Sequence, residues 1–79
     1  MITAARQVYI PDLSPRQRQV LTLVAEGLQF WEIGGRLGIT TYTAKSHAAR
    51  AYQALGARNG AQAVHLAYQI GLLSVGEPS

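Results

Sequence analysis

The feature that most constrains this chain is a short break, Gly38-Ile39-Thr40, between two segments with helical spacing of apolar residues. Gly38 is a natural helix stop, because glycine readily adopts the left-handed conformation in which many helices end. Thr40 is a natural helix start, because its hydroxyl can accept a hydrogen bond from a backbone N–H of the first turn. Two helices joined by so short a turn cross steeply, and the pattern therefore predicts a helix-turn-helix.

Other capping residues divide the rest of the chain into helices. Ser14, Pro15 and Gln17 predict a capping box at the start of a first helix, and Asn59 with Gln62 predicts a similar start for a fourth. The predicted helices run from Ser14 to about Gly27, from Phe30 to Leu37, from Thr41 to about Leu55, and from Asn59 to near Gly71. No alternating apolar pattern favours a strand. We therefore expect an all-α fold of four helices over residues 13–73, with an N-terminal arm over 1–12 and a C-terminal tail over 74–79.

The second predicted helix looks weak on its own. Gln29 is a poor cap, and Gly34 and Gly35 each cost about 1 kcal/mol relative to alanine. Small residues also permit another helix to approach closely, which would explain both glycines. By helical phase, Phe30 belongs to the core and Trp31 points outward.

Composition excludes several classes of protein. The chain has 79 residues, 48% of them hydrophobic, which suits one small packed domain. It has no cysteine, which excludes disulfide scaffolds, thiolate zinc sites and cysteine nucleophiles. No apolar run approaches the ~20 residues of a membrane span, so we expect a soluble, cytoplasmic protein with no membrane contact. The acids are scattered and His47 and His65 lie in different predicted helices, so we expect no enzyme activity, metal or cofactor.

The charges are unevenly distributed. No Asp or Glu occurs between Glu32 and Glu77, and the net charge of the chain is +3. That acid-free interval contains four bases: Arg36, Lys45, Arg50 and Arg58. A region without carboxylates suits an anionic partner such as nucleic acid, because carboxylates repel phosphate. A well-solvated basic surface is the alternative interpretation.

The third predicted helix has two distinct faces at ~100° per residue. Its inner stripe consists of Ala44, Ala48, Ala51 and Leu55. Its outer face carries Tyr42, Ser46, Ala49 and Gln53, flanked by Lys45 and Arg50. Small and polar side chains allow a helix to enter the DNA major groove, which is about 12 Å wide. Lysine and serine can bind base edges or phosphates and arginine can bind phosphate, so this face favours double-stranded DNA as the partner.

The chain matches the pattern of a known family in four stretches, which follow the order of that pattern with no gaps needed. They are LSPRQRQVLTLVAEGL, EIGGRLGIT, TAKSH and YQALGARNGAQAV. Through them, residues 13–73 resemble the LuxR/FixJ/NarL-type helix-turn-helix DNA-binding domain. The resemblance implies a bacterial or phage transcription regulator, cytoplasmic and commonly homodimeric, whose third helix reads the major groove. Most relatives carry a separate receiver or ligand-sensing domain. A chain of 79 residues has no room for one, so this chain resembles the short, stand-alone form.

The resemblance also implies roles for individual residues. The base- and phosphate-contacting positions of the family fall on Lys45, Ser46 and Ala49, and Thr40, Thr41 and Thr43 lie near the DNA backbone. Together with the outer face of the third helix, the predicted DNA-binding set is Thr40, Thr41, Tyr42, Thr43, Lys45, Ser46, Ala49, Arg50 and Gln53. His47 matches a position that is commonly histidine, and we expect it to fill a packing position rather than bind metal.

The fourth predicted helix is expected to bury Ala63, Leu66, Ala67 and Ile70. Its other side carries Ala61, His65, Tyr68 and Gln69, with Val64 at the border. In such domains this helix commonly forms a homodimer interface, so Ala61, Val64, His65 and Tyr68 are the predicted dimer contacts. A solvated surface is the alternative.

The chain departs from the family pattern at several positions. Gln17 replaces a usual glutamate, Ala44 a usual valine, and Ala49 a residue that is often polar or basic. The small polar pair before the second helix is replaced by Gln29-Phe30-Trp31. Exposed Trp31 would then contact a partner or the DNA backbone, or be covered by Val8 or Tyr9 of the arm. These departures leave an alternative function open: a protein-interaction module that binds RNA polymerase or another regulator with little or no base reading.

Overall fold

The computed structural model describes residues 12–73, which form four α-helices. They are α1 (Pro15–Ala25), α2 (Phe30–Leu37), α3 (Thr41–Leu55) and α4 (Gly60–Gln69). The predicted all-α fold class is confirmed, and no strand occurs within the described range. The predicted cover of Trp31 by Val8 or Tyr9 lies outside the described residues. No helix in residues 12–73 is both long enough and apolar enough to span a membrane.

Helix α1 begins as its sequence predicts. The Ser14 hydroxyl accepts a hydrogen bond from the Gln17 backbone N–H at 3.0 Å, and the Gln17 side-chain oxygen accepts one from the Ser14 N–H at 3.1 Å. This reciprocal pair satisfies two N–H groups that a helix start leaves without a partner. Helix α1 therefore has a fixed start, and its buried Val20 and Leu21 follow at the correct phase to enter the core.

Helix α2 begins with a different pair. The Glu32 carboxylate accepts a hydrogen bond from the Gln29 backbone N–H at 2.7 Å. A negative side chain in the first turn also interacts favourably with the helix dipole. Glu32 thus compensates for the poor capping residue at position 29, which the sequence analysis did not foresee.

The two glycines of α2 differ in their surroundings. A Cβ built on Gly34 would lie 2.6 Å from the Ile39 carbonyl oxygen and 3.3 Å from the Thr41 nitrogen. A Cβ on Gly35 would meet no atom within 4 Å. The expectation of a close approach is therefore correct for Gly34, where the turn itself packs on α2, and wrong for Gly35, which faces open space.

The turn between α2 and α3 has the predicted form. Gly38 has φ +72°, in the left-handed region, and the Ile39 N–H donates to the Gly34 carbonyl at 2.9 Å. Thr40 then caps α3, because its hydroxyl oxygen accepts from the Thr43 N–H at 3.0 Å. The chain therefore turns from α2 into α3 within three residues, and α3 packs against both α1 and α2.

Two clusters of buried side chains form the core. One lies among α1, α3 and α4 and consists of Leu13, Leu21, Ala51, Ala63, Ala67 and Leu73. The other lies among α1, α2 and α3 and consists of Val20, Ile33, Ala44 and Ala48. Partly buried Tyr52 packs against both, and its burial raises the pKa of its hydroxyl above the usual 10.0. Tyr52 thus joins the two halves of the core.

Helix α4 is rotated slightly from its predicted orientation. Ala63 and Ala67 are fully buried as expected, whereas Leu66 and Ile70 are only partly buried. Val64, placed at the border by sequence, packs against the core instead. After α4, Leu72 and Leu73 fold back, and both donate from their N–H groups to the Ala67 carbonyl, at 2.8 and 3.2 Å.

The start of α4 also differs in detail. Asn59 caps it, accepting from the Gln62 N–H at 2.8 Å, as predicted. The Gln62 side-chain oxygen, however, accepts from the Arg58 N–H at 2.6 Å rather than from the N–H of the capping residue. Gln62 therefore fixes the loop one residue earlier than the predicted capping box would.

Candidate nucleic-acid interface

Helix α3 presents one face to solvent and buries the opposite one. Ala44, Ala48 and Ala51 have no accessible surface. We call the outward side the α3 face; it comprises Tyr42, Lys45, Ser46, Ala49, Arg50 and Gln53. All of these are exposed except Ser46, which is half-buried. The sequence-based division of this helix into an inner and an outer face is therefore correct.

The inner side of α3 consists mainly of alanine methyl groups, which determine how closely the helix packs against its neighbours. Alanine side chains let helix backbones approach closely, because they leave little volume between the axes. Leu55, in the last turn, is half-buried against the α1–α3–α4 cluster and completes the stripe. The core therefore holds α3 over its whole length while the α3 face stays open.

The N-terminal end of α3 is rich in hydroxyl groups. The Thr40 hydroxyl accepts from the Thr43 N–H and donates to the Thr43 hydroxyl oxygen at 2.9 Å. Thr43 therefore keeps its own hydroxyl proton for another acceptor, although its side chain is half-buried. Thr40 and Thr41 are exposed, and the first N–H groups of any helix have no partner within that helix. This end can donate hydrogen bonds to an anion such as a phosphate.

The charge of the α3 face follows from the absence of acidic residues in α3 and α4. Three acids, Asp12, Glu26 and Glu32, fall within the described residues, and none belongs to α3 or α4. The Glu32 carboxylate is held at the start of α2 by its hydrogen bond to Gln29. Lys45 and Arg50 are both exposed, so the α3 face is positively charged and carries no carboxylate. Such a face attracts a polyanion.

Two aromatic side chains begin α2, and they point in opposite directions. Phe30 is half-buried and packs against the α1–α2–α3 cluster, as expected. Trp31 is 67% exposed, which confirms its predicted outward orientation. A tryptophan this exposed offers a large apolar surface with a polar N–H, a combination that is common at protein interfaces.

The outward side of α4 carries the predicted dimer residues. Ala61 and His65 are exposed, and Tyr68 is 40% exposed. Val64 differs from them in burial, because it is half-buried and packs against the α1–α3–α4 cluster. Most of its surface therefore supports the fold, and its role as a dimer contact through the remainder stays a prediction.

A groove lies between α1 and α2. Its volume is about 400 Å³, and its lining is Arg18, Gln19, Thr22, Leu23, Arg36 and Leu37. Leu23 and Leu37 also belong to the edge of the α1–α2–α3 cluster, so the groove has an apolar floor with two arginines at its rim. No residue of α3 lines it. The sequence pattern does not predict this groove, since its residues come from two helices and share no motif.

The two histidines lie on different helices. His47 is half-buried on α3 and His65 is exposed on α4. Within residues 12–73, no group of three or more histidine or acidic side chains is placed to hold a metal ion.

Two curated bacterial proteins share sequence with this chain. The chain is 47% identical over 55 residues to "Transcriptional activator protein BjaR1" of Bradyrhizobium diazoefficiens, covering 70% of this chain and 23% of that protein. It is 43% identical over 54 residues to "Putative HTH-type transcriptional regulator YhjB" of Escherichia coli K12, covering 68% and 27%. The chain thus spans about a quarter of the length of these curated relatives.

Solved structures show the same four-helix arrangement. The transcription factor GerE matches with a TM-score of 0.73 and 27% identity, over 78% of this chain and 92% of that one. The response regulator ChrA of a heme-sensing two-component system matches with a TM-score of 0.75 and 26% identity, over 91% and 36%. The family described as "Bacterial regulatory proteins, luxR family" matches residues 11–67. Since that match covers most of the four-helix domain, this chain belongs to the luxR family of bacterial regulatory proteins.

Proposed function

We propose that this chain is a sequence-specific DNA-binding transcriptional regulator that places α3 in the major groove and acts as a homodimer. The observation that carries the proposal is the α3 face, which is exposed, positively charged and free of carboxylates. Its polar and small side chains, with no large aliphatic residue among them, suit a groove about 12 Å wide. Membership of a family of transcription regulators supports the same function.

The residues of α3 divide into two roles by their chemistry. Lys45, Ser46 and Gln53 can bond to base edges, while Arg50 and Tyr42 would contact the DNA backbone. Thr40, Thr41 and Thr43 at the helix start would bind a phosphate through hydroxyl and backbone N–H groups. In this assignment backbone contacts fix the position of α3 and base contacts select the sequence.

The homodimer would form through the outward side of α4. Tyr68, His65 and Ala61 provide an apolar and polar patch of the kind that a symmetric contact requires, with the accessible part of Val64 beside them. Two copies of α3 would then read half-sites about one helical turn, 34–36 Å, apart. Analytical ultracentrifugation with and without operator DNA tests this. Monomer alone at high concentration in both samples would refute the dimer.

DNA binding is tested by selecting sequences from random DNA and then measuring affinity against salt. If each protomer neutralises about three or four phosphates, the log-log slope for a dimer should be about −5 to −7. Lys45→Ala removes one lysine from each protomer, so it should weaken binding and make the slope of the dimer shallower by about 2. Arg18→Ala removes an equal charge from α1 and is the matched control, expected to leave affinity within twofold. A slope near zero for the wild type would refute phosphate-driven binding.

A second candidate function is binding of another protein, either RNA polymerase or another regulator. It is favoured by Trp31, exposed at the start of α2, and by the groove between α1 and α2. If DNA affinity is unchanged by Lys45→Ala while a partner is lost on Trp31→Lys, this function replaces the first. If Trp31→Lys lowers thermal stability and leaves every partner bound, Trp31 has a structural role only.

A further inference from the structure

One row of exposed side chains runs along the α3 face at one-turn spacing: Lys45, Ala49 and Gln53. Residues four apart lie on the same side of a helix, and eight residues span about 12 Å of its axis. Base pairs rise about 3.4 Å along DNA, so this row can face three to four successive base pairs. Both ends of the row carry hydrogen-bonding groups, whereas its centre carries only a methyl group.

Ala49 is the only member of the row between Lys45 and Gln53, and the exposed Arg50 next to it in sequence lies outside the row. Ala48, next to it in sequence, is fully buried in the core and contributes nothing to the surface. Ser46, one turn earlier, is half-buried, so the longer Lys45 and Gln53 are the nearest side chains that extend outward in the row. The α3 backbone can therefore approach the groove floor closely at this position, with an apolar contact as its only side-chain interaction.

We infer that Ala49 reads the C5-methyl group of a thymine at the centre of each half-site, between base pairs contacted by Lys45 and Gln53. The ligand class is a 5-methylpyrimidine facing the major groove. Thymine is the standard base that presents a methyl group there, and alanine is a known apolar partner for it. Cytosine would instead present an amino donor that a methyl group leaves without a partner. The inference rests on the proposed function, which it makes specific.

The test uses the full chain and the operator obtained by selection from random DNA. Each thymine of a half-site is replaced in turn by uracil, which removes one methyl group and leaves base pairing intact. Loss of one buried methyl group predicts that uracil at one thymine position of the half-site raises the Kd about fourfold. In a second duplex the same thymine·adenine pair becomes cytosine·guanine, with and without C5 methylation. The methylated form should bind about fourfold more tightly than the unmethylated one.

Protein variants assign the effect to the residue. Ala49→Gly should bind the thymine operator more weakly and should no longer distinguish thymine from uracil at the sensitive position. Ala54→Gly is the matched control, since Ala54 is exposed on the same helix but outside the row. It carries the same loss of helix propensity and should keep the fourfold discrimination. Circular dichroism confirms that both variants are folded at the assay temperature.

Each result has a defined meaning. A uracil penalty that persists in Ala49→Gly, or no uracil-sensitive thymine in a selected operator, overturns this inference and leaves the proposed function intact. Failure to enrich any sequence overturns both.

Discussion

Replacing Gly34 with alanine should destabilise the domain, whereas the same change at Gly35 should stabilise it. Both glycines lie inside α2, so each substitution gains about 1 kcal/mol of helix propensity. They differ in what the new methyl group meets. At Gly35 there is no atom within 4 Å, but at Gly34 the Ile39 carbonyl oxygen lies 2.6 Å away.

The size of the effect follows from that contact. A carbon cannot stay 2.6 Å from a carbonyl oxygen, so the turn must move, and overpacking of this kind costs about 1–3 kcal/mol. The movement also disturbs the hydrogen bond from the Ile39 N–H to the Gly34 carbonyl, which is 2.9 Å long and contributes about 1 kcal/mol. Once the gain in helix propensity is subtracted, Gly34→Ala should lower the free energy of unfolding by about 1–3 kcal/mol. The free energies of unfolding of the Gly34→Ala and Gly35→Ala variants should therefore differ by about 2–4 kcal/mol.

Thermal unfolding followed by circular dichroism measures the difference directly. In a domain of this size about 1 kcal/mol shifts Tm by about 4–8 °C, so the Tm of the two variants should differ by at least about 8 °C. Equal shifts of Tm for Gly34→Ala and Gly35→Ala would show that the turn accommodates a methyl group freely. The close packing of the turn on α2 would then have no energetic importance.

Three further changes test other contacts. Thr40→Ala removes the cap of α3 and should cost about 1 kcal/mol in chemical denaturation, whereas Thr41→Ala, which removes no capping bond, should change stability by less than about half of that. Leu21→Ala deletes a fully buried side chain and should cost about 2–5 kcal/mol, and a wild-type urea midpoint would refute its place in the core. Burial raises the pKa of Tyr52, so the folded state retains that proton more strongly, and stability should fall as pH rises above about 10. Tyr52→Phe should show a smaller decline over the same pH range, as measured by urea unfolding at each pH.

The helix boundaries could be predicted because their causes are local. Ser14, Thr40 and Asn59 each act on backbone groups within four residues, and the glycine at position 38 fixes the turn by its own conformation. Interactions between residues so close in sequence can be predicted from the sequence pattern. The two faces of α3 were predictable for the same reason, since one helix contains both.

The orientation of α4 could not be predicted in this way. The centre of its buried stripe lies between Ala63 and Ala67, and at 100° per residue both Val64 and Leu66 fall about 80° from it, on opposite sides. Helical phase alone therefore cannot decide which of the two packs inward. The choice depends on how α4 meets α1 and α3, and Val64 is the one that packs against their shared cluster. The groove between α1 and α2 was missed for a similar reason, because Arg18 and Arg36 become neighbours only after packing.

The methyl-lined inner side of α3 has a consequence for protein engineering. Ala44, Ala48 and Ala51 fill the fully buried positions of this helix, so its exposed side chains are not part of the core. Positions 45, 49, 50 and 53 are all exposed, and we expect them to tolerate simultaneous substitution with little effect on folding. Under the proposed function, a library at these four positions, built on this otherwise unchanged scaffold, would be a direct way to select domains that bind new operators.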